Sequence, residues 1–282
     1  TGCANIVFLS ESMNISSPLF VISTGNYLHY KQMKIIIIGG VAGGATTAAR
    51  IRRVDETAEI ILLEKGKYIS YANCGLPYYI GGVIEERDKL FVQTPEAFST
   101  RFRVDVRTEN EVIFIDRKRK TVTIRQSSED TYEESYDKLV ISTGASPVRP
   151  PLPGIDLSGI FTLRNVTDTD RIKEYIKSHA PRKAVVVGAG FIGLEMAENL
   201  HTQGAKVSIV EMGNQVMAPI DFSMASLVHQ HLMDKGVNLY LEQAVASFSR
   251  EGKGLKVTFK NGQSISADIV ILSIGVRPET SL

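Results

Sequence analysis

Ala184-Val-Val-Val-Gly188-Ala189-Gly190-Phe191-Ile192-Gly193 is the stretch whose reading decides the fold. Its β-branched run has the pattern of a strand buried on both faces of a parallel sheet, and the residues after it predict a helix over 191–203. Between strand and helix, Gly188-x-Gly190-x-x-Gly193 has the spacing of a dinucleotide-binding turn. Gly188 makes the turn, Gly190 leaves room for a pyrophosphate, and Gly193 lets helix approach strand. The N-terminus of that helix supplies N–H donors and a partial positive charge. Glu211 closes the next strand, Lys206–Glu211, near the spacing of roughly 20 residues at which a carboxylate meets an adenosine ribose. A carboxylate there accepts from a 2′-hydroxyl and repels a 2′-phosphate, so NADH is favoured over NADPH.

The same unit occurs once more, nearer the start. Lys34-Ile-Ile-Ile-Ile-Gly39-Gly40-Val41-Ala42-Gly43-Gly44 reads as strand and turn, Gly43–Val54 as a helix, and Glu59–Glu64 as the second strand of a βαβ unit. The middle glycine of the pattern is replaced by Val41. The flanking elements and Glu64 still make this a second nucleotide loop, in which Val41, Ala42, Gly43 and Gly44 bring backbone close to a ligand.

Working outward, Thr94–Phe102 predicts a helix, and residues 103–136 predict antiparallel strands and hairpins. The basic run Asp116-Arg-Lys-Arg-Lys120 is read as a solvated hairpin. Lys138–Ser142 predicts a buried strand ending at Thr143-Gly144-Ala145. Pro-rich Ser146-Pro-Val-Arg-Pro-Pro-Leu-Pro-Gly154 predicts a crossing between domains. Further helices are expected over 171–179 and 222–235, with strands near 238–248, 254–259 and 267–273. The chain of 282 residues is long enough for two cores. The fold class is therefore α/β: two Rossmann-like domains, three-layered, with parallel sheets and antiparallel β-meander insertions. The expected division is a first domain over 33–147, a second over 148–266, and a return to the first over 267–282. Residues 1–32, rich in turn-formers and without a sustained period, are read as a leader outside the fold, and Cys3 gets no role.

Composition bounds the function. A net charge of +1 and 22% charged residues give no nucleic-acid or membrane surface, and no run of eighteen apolar residues suggests a span. With two cysteines, no disulfide framework is possible beyond one bridge, and a reducing cytoplasm is the simplest setting. No metal site is expected.

One cysteine stands out. Ser70-Tyr71-Ala72-Asn73-Cys74-Gly75-Leu76-Pro77 follows the first nucleotide unit, with Pro77 suited to an early helical position. A thiol at a helix N-terminus is favoured as thiolate, the nucleophilic form. No second cysteine stands nearby, so an internal redox disulfide is excluded. A lone thiol cycles either through a mixed disulfide with a small thiol or through a sulfenate.

Together these residues resemble the single-cysteine branch of the FAD-dependent pyridine nucleotide–disulfide oxidoreductases. The Gly39–Gly44 loop, the Arg50-Ile-Arg-Arg53 helix and Ser70-Tyr-Ala-Asn-Cys74-Gly-Leu-Pro-Tyr-Tyr-Ile look most like the coenzyme A-disulfide reductases and the related CoA-persulfide reductases. Tyr71 departs from the usual phenylalanine. The resemblance implies that Gly39, Val41–Gly44, Glu64 and Lys65 bind the ADP part of FAD, with Thr143, Gly144, Ala145 and Gly275 as further flavin contacts. It implies that Gly188, Gly190, Ile192, Gly193 and Glu211 bind NADH, with NADPH as the weaker option. Phe191 falls where an aromatic gate covers the flavin, and Glu195 where a carboxylate approaches flavin and nicotinamide. Cys74 and Asn73 take the catalytic position. CoA is expected against Thr46, Arg50, Arg53, Ser70 and Asn73; Arg50 and Arg53 share a helix face, and guanidinium suits phosphate.

By the same resemblance the family continues past Leu282 with another flavin segment and a dimerisation domain, so the chain reads as a fragment of a cytoplasmic homodimer. The activity implied is hydride transfer from NADH through FAD to Cys74, which reduces CoA disulfide or persulfide. An NADH oxidase or peroxidase working through a Cys74 sulfenate remains open, as does a non-catalytic nucleotide-binding module that senses redox state.

Overall fold

The architecture comes from a computed structural model, which describes residues 7–8 and 32–282. In chain order the elements are β1 (Val7–Phe8), β2 (Lys34–Ile38), α1 (Ala42–Val54), β3 (Glu59–Glu64), α2 (Leu76–Gly81), α3 (Pro95–Phe102), β4 (Asp105–Thr108), β5 (Asn110–Asp116), β6 (Thr121–Gln126), β7 (Thr131–Ser135) and β8 (Lys138–Ile141). They continue as β9 (Ala145–Pro147), β10 (Ile160–Thr162), α4 (Val166–His179), β11 (Lys183–Val187), α5 (Phe191–Thr202), β12 (Lys206–Val210), α6 (Phe222–Asp234), β13 (Asn238–Tyr240), β14 (Val245–Glu251), β15 (Gly254–Phe259), β16 (Ser264–Ala267), β17 (Ile269–Leu272) and β18 (Val276–Pro278).

The chain divides into two compact units. The first holds the described residues up to Tyr71, with Phe91–Gly144 and Pro278–Leu282; the second holds Ala72–Leu90 and Ala145–Arg277. In the first, β8, β2, β3 and β4 lie side by side and parallel, with β1 antiparallel on the outer edge of β8. The alternation along β2 makes this sheet a middle layer. Ile35 and Ile37 pack with Ala45, Ala48 and Phe98 from α1 and α3. Ile36 and Ile38 pack with Val112, Val122 and Ile124 from the antiparallel meander β5-β6-β7. Burying such a side chain fully contributes about 1.5–3 kcal/mol, so a run buried on both faces fixes the strand's register.

The second unit repeats the plan. Its parallel sheet runs β10-β17-β11-β12-β13. One face carries the meander β14-β15-β16, whose Phe248, Leu255, Val257 and Phe259 share a core with Val185, Val187, Val270 and Leu272. Helix α5 packs against β11 and β12.

Several expectations change. Residues 105–108 do not begin an antiparallel hairpin: β4 adds in parallel to β3, and the antiparallel part starts only at Asn110. Helix α4 starts five residues early, because Asn165 accepts from the Asp168 N–H at 2.9 Å and caps it. The last apolar strand, β17, belongs to the second sheet, so the return to the first unit falls at Pro278 rather than at 267. The segment Ala72–Leu90, read as part of the first domain, groups with the second unit. The leader reading for 1–32 lies outside the described residues, apart from β1 and residue 32.

Candidate functional site

The two glycine loops are built alike, bond for bond. Gly39 donates to the Leu63 carbonyl and Gly188 to the Val210 carbonyl, each at 2.8 Å. Gly40 donates to Glu64 Oε2 at 2.7 Å, and Ala189 to Glu211 Oε2 at 2.8 Å. The other oxygen of each carboxylate accepts from the residue two further on: Gly66 N–H to Glu64 Oε1 and Gly213 N–H to Glu211 Oε1, both at 2.7 Å. Each carboxylate thus clamps its loop against the turn after the next strand, with lone pairs left for hydroxyl donors.

The glycines divide by what a side chain would meet. Gly39 and Gly188 take φ of +97° and +100°, and a Cβ there would stand 2.1 Å from the Ser142 carbonyl oxygen and 2.4 Å from that of Ser273. At Gly44 and Gly193 a Cβ would stand 1.7 Å and 2.0 Å from the carbonyl oxygens of Gly39 and Gly188. Those four are glycine because backbone meets backbone. Gly190 is different: its φ is −77° and a Cβ would meet nothing within 4 Å. The protein itself has no need of glycine there, and the open space is what a pyrophosphate requires. At the matching place in the first loop Val41 has φ of −92°, which any residue adopts. Neither α1 nor α5 has a side-chain cap or an acidic residue in its first turn, whereas α3 and α4 are capped by Thr94 and Asn165. Their first N–H groups are therefore available to phosphate oxygens.

Around the first loop the predicted residues converge. A cleft in this unit is lined by Gly39, Glu64, Lys65, Thr143 and Glu279. Thr143 Oγ1 donates to the Glu279 carbonyl at 2.8 Å, and Gly144 accepts from the Glu279 N–H at 2.9 Å. Ser70 sits in left-handed backbone (φ 46°) and donates its N–H to the Gly40 carbonyl at 3.0 Å, so it is tied to the loop. The residues present fit an ADP-bearing flavin: an uncapped helix, close-approach glycines and a clamped carboxylate.

Cys74 lies in the short 3₁₀ turn Asn73–Gly75 that leads into α2, and its residue is exposed. Beside it, Asn73 Oδ1 is buried without a hydrogen-bond partner among the described residues. An orphaned buried acceptor costs roughly 1–3 kcal/mol, so this oxygen is set up for a donor that the chain does not provide. Both residues fall in the second unit, with Glu195 and Phe191 of α5. Burial pushes the Glu195 carboxyl up from its ordinary value, and Glu198 pushes it further. The charge of Glu195 in turn pushes the Tyr78 phenol up, with burial, Glu198 and Cys74 adding to it. Phe191 and Ile192 are exposed at the opening of α5. Gly275, in left-handed backbone at φ 116°, stands two residues after Ser273 just as Gly144 stands two after Ser142.

The remaining candidates separate. Thr46, Arg50 and Arg53 are exposed along one stripe of α1 in the first unit. Among the described residues neither arginine has a hydrogen-bond or ion-pair partner. Arg52, between them, is buried and donates to the carbonyls of Phe102, Asp55, Glu56 and Arg103. Ala145 falls beyond the boundary, in β9 of the second unit. Sequence reasoning missed Ser142 and Ser273, whose carbonyls limit the loops; the repeated Ile-Ser-Thr-Gly144 and Leu-Ser-Ile-Gly275 carried that signal. It also missed Lys173, Asn199 and Gln203, which contact the segment around α2.

Residues 33–282 match the family model described as pyridine nucleotide-disulphide oxidoreductase. The coenzyme A disulfide reductase of Staphylococcus haemolyticus is 41% identical over 249 residues, covering 88% of this chain and 55% of that protein. Among solved structures, the reduced Bacillus anthracis CoADR-RHD aligns at TM-score 0.86 and 52% identity, over 89% of this chain and 45% of that one. The NAD-dependent persulfide reductase from A. fulgidus aligns at 0.83 and 40%, over 88% and 46%. The chain spans about half the length of the relatives it matches. With two clamped glycine loops on two parallel sheets and a family match from Met33 to the last residue, the chain belongs to the pyridine nucleotide–disulphide oxidoreductases.

Proposed function

We propose that this chain carries the nucleotide-binding units of an NADH-dependent flavoprotein reductase in which Cys74 is the redox nucleophile and CoA disulfide or CoA persulfide the substrate. The observation that carries the reading is the exposed Cys74 thiol next to the unpartnered Asn73 Oδ1. The amide N–H groups of a pantetheine arm are donors of the kind that oxygen lacks. FAD, when bound at the first loop, supplies two-electron transfer between a nicotinamide and a sulfur centre.

This chain's residues do the rest. Gly188–Gly193 and Glu211 hold NADH, Glu211 through the ribose hydroxyls, and Phe191 and Glu195 border the nicotinamide. Arg50 and Arg53, with Thr46 and Ser70, receive the CoA phosphates. The Cys74 thiolate attacks one sulfur of CoA disulfide; a Cys74–CoA disulfide forms and one CoA thiolate leaves. Two electrons delivered from NADH then break that bond, restoring the Cys74 thiolate and releasing the second CoA. With CoA persulfide, attack on the CoA-bound sulfur releases sulfide first and CoA second. A cytoplasmic homodimer is the proposed setting of the whole protein.

The test is NADH consumption with CoA disulfide, CoA persulfide, oxygen and peroxide, for the purified protein and for Cys74→Ser, beside a flavin absorbance spectrum. Turnover of CoA disulfide or persulfide that vanishes in Cys74→Ser supports the reading. Turnover confined to oxygen or peroxide replaces it with the oxidase–peroxidase reading. A colourless protein that still binds NADH leaves a nucleotide-sensing module.

A further inference from the structure

The segment bearing Cys74 leaves the first unit and comes back to it through a narrow base. Tyr71 and Phe91 form an isolated antiparallel bridge, and the Ala72 N–H donates to the Leu90 carbonyl at 2.8 Å. Between them, α2 packs against α4 and α5. Lys173 Nζ donates to the Tyr79 carbonyl at 2.7 Å and lies 3.5 Å from the centroid of the Tyr79 ring. Gln203 Nε2 donates to the Gly81 carbonyl at 2.5 Å. Asn199 is 1% exposed and donates to the Glu195 carbonyl at 2.8 Å. Its Oδ1 faces Gly81 so closely that a Cβ there would stand 1.9 Å away. Arg87 adds a two-pronged ion pair to Asp170 at 2.9 and 2.8 Å.

These contacts have a common geometry. The last carbonyls of a helix lack partners within it; in α2 those of Tyr79 and Gly81 accept from Lys173 of α4 and from Gln203, at the end of α5. Asn199 stands on α5 and Gln203 is its C-cap, and the first turn of α5 follows directly on the second glycine loop. The helix that begins at the second glycine loop thus packs at its far end against the helix after Cys74.

We propose that Lys173, Asn199 and Gln203 are positioning residues that seat the Cys74 segment on α5, so that nucleotide bound at the second loop is felt at the thiol as lowered reactivity. This rests on the reading of Gly188–Gly193 as the NADH site. A ligand that firms the first turn of α5 favours the seated arrangement of α2, and the Cys74 turn samples fewer open conformations.

The test uses the purified protein carrying Cys3→Ser, so that alkylation reports Cys74 alone. Saturating NAD⁺ is expected to slow alkylation by about fivefold, within the usual range of coupling between sites, and to lower amide exchange across 72–90. Gly81→Ala forces its Cβ against Asn199 and is expected to abolish the protection while NAD⁺ still binds, its affinity lowered by no more than the same factor of about five. Gln203→Met removes the donor to the Gly81 carbonyl and is expected to weaken the protection. Lys173→Met weakens the protection and Lys173→Arg retains it. Simple shielding of the thiol by bound nucleotide predicts equal protection in every variant that binds NAD⁺, and that result overturns the proposal. So does unchanged exchange at 72–90 in the protein without substitutions at these positions, a measurement that needs no variant to fold. Absence of NAD⁺ binding would overturn this inference together with the functional reading; binding without any response at Cys74 overturns this inference alone.

Discussion

Gly190 and Gly193 stand three residues apart in one loop, and the structure assigns them opposite reasons for being glycine. Replacing Gly190 by alanine puts a methyl group where no protein atom lies within 4 Å, at a backbone angle that alanine adopts freely. The folded state loses nothing and the unfolded chain loses freedom, so stability is expected to hold or rise by about 0.4–1 kcal/mol. The same methyl occupies space a pyrophosphate needs, and NADH affinity is expected to fall at least about tenfold, or roughly 1.4 kcal/mol. Replacing Gly193 by alanine puts the methyl carbon 2.0 Å from the Gly188 carbonyl oxygen and 2.7 Å from Ser273 Oγ. Helix and strand must separate by more than 1 Å, which overpacking data place at about 1–3 kcal/mol or more.

Urea unfolding and NADH fluorescence titration on the two variants separate these effects. Gly190→Ala is expected to keep the parent's midpoint and lose the nucleotide; Gly193→Ala is expected to lose both. A Gly190→Ala protein that binds NADH as tightly as the parent would refute the assignment of the open space to the pyrophosphate. A Gly193→Ala protein of unchanged stability would refute the steric reasoning altogether.

Three further outcomes follow from contacts in the two units. Arg52→Ala strips four carbonyls of a buried donor and is expected to cost about 2–4 kcal/mol by chemical unfolding, whereas Arg50→Ala and Arg53→Ala, on the exposed face, change stability by less than about 0.5 kcal/mol. The latter two raise KM for CoA disulfide severalfold, an effect that fades as salt screens the phosphates; unchanged KM in both removes them from the CoA site. Burial opposes ionisation of Glu134, but hydrogen bonds from Lys34 and Arg107, each at 2.7 Å, outweigh it and hold its carboxyl below the ordinary carboxylate range. Its stabilising contribution is thus present above the ordinary carboxylate pKa and lost as pH falls through the lower folded value. Between about pH 5 and pH 3 the parent should lose more melting temperature than Glu134→Gln, and equal losses would remove Glu134 from the acid response. Glu211→Ala removes the acceptor of the Ala189 and Gly213 amides and the proposed ribose partner; NADH binding should weaken about tenfold or more with NADPH less affected, and an unchanged preference between the two nucleotides would count against Glu211 as its source.

Local chemistry made much of this legible in advance. The β-branched runs at Ile35–Ile38 and Ala184–Val187 form buried parallel strands as read, and the carboxylates at 64 and 211 stand at or just past the ends of the following strands, where each accepts from a loop amide. What escaped notice is set by contacts far apart in sequence. Strand β4, with half-exposed residues and only four of them, shows no sign of its parallel partner until β3 is beside it. The segment Ala72–Leu90, grouped with the second unit, is contacted by Lys173, Asn199 and Gln203, about a hundred residues away, and neither Lys173 nor Gln203 has a local signature. Asn199 alone left a trace: a polar residue among Met196, Ala197 and Leu200 on the buried face of a helix needs an explanation, and Gly81 is that explanation.

The likeness of the two loops bears on why they tolerate different residues at one place. Gly39 and Gly188 are bounded by carbonyls of the strand beside them, Gly44 and Gly193 by the loop's own first carbonyl, and both loops are clamped by a carboxylate through matching amides. The backbone fixes those positions whatever is bound. The middle position has ordinary φ in both units, and a Cβ at Gly190 would meet nothing within 4 Å; it is valine in one loop and glycine in the other. On the proposed assignment, the valine at 41 fits a group that approaches the backbone of the first loop differently from the nucleotide at the second. Gly40 supports this. Its Cβ would lie 2.6 Å from Ile69 and 2.8 Å from Leu62, so the first loop is tightly backed by its own core where the second, at Ala189, has room for a methyl. A site of that kind is shaped by packing rather than by vacant space, which suits a cofactor held through many turnovers. The second loop, open at Gly190 and joined through α5 to the helix behind Cys74, has the features of a site that must admit and release its nucleotide in each one.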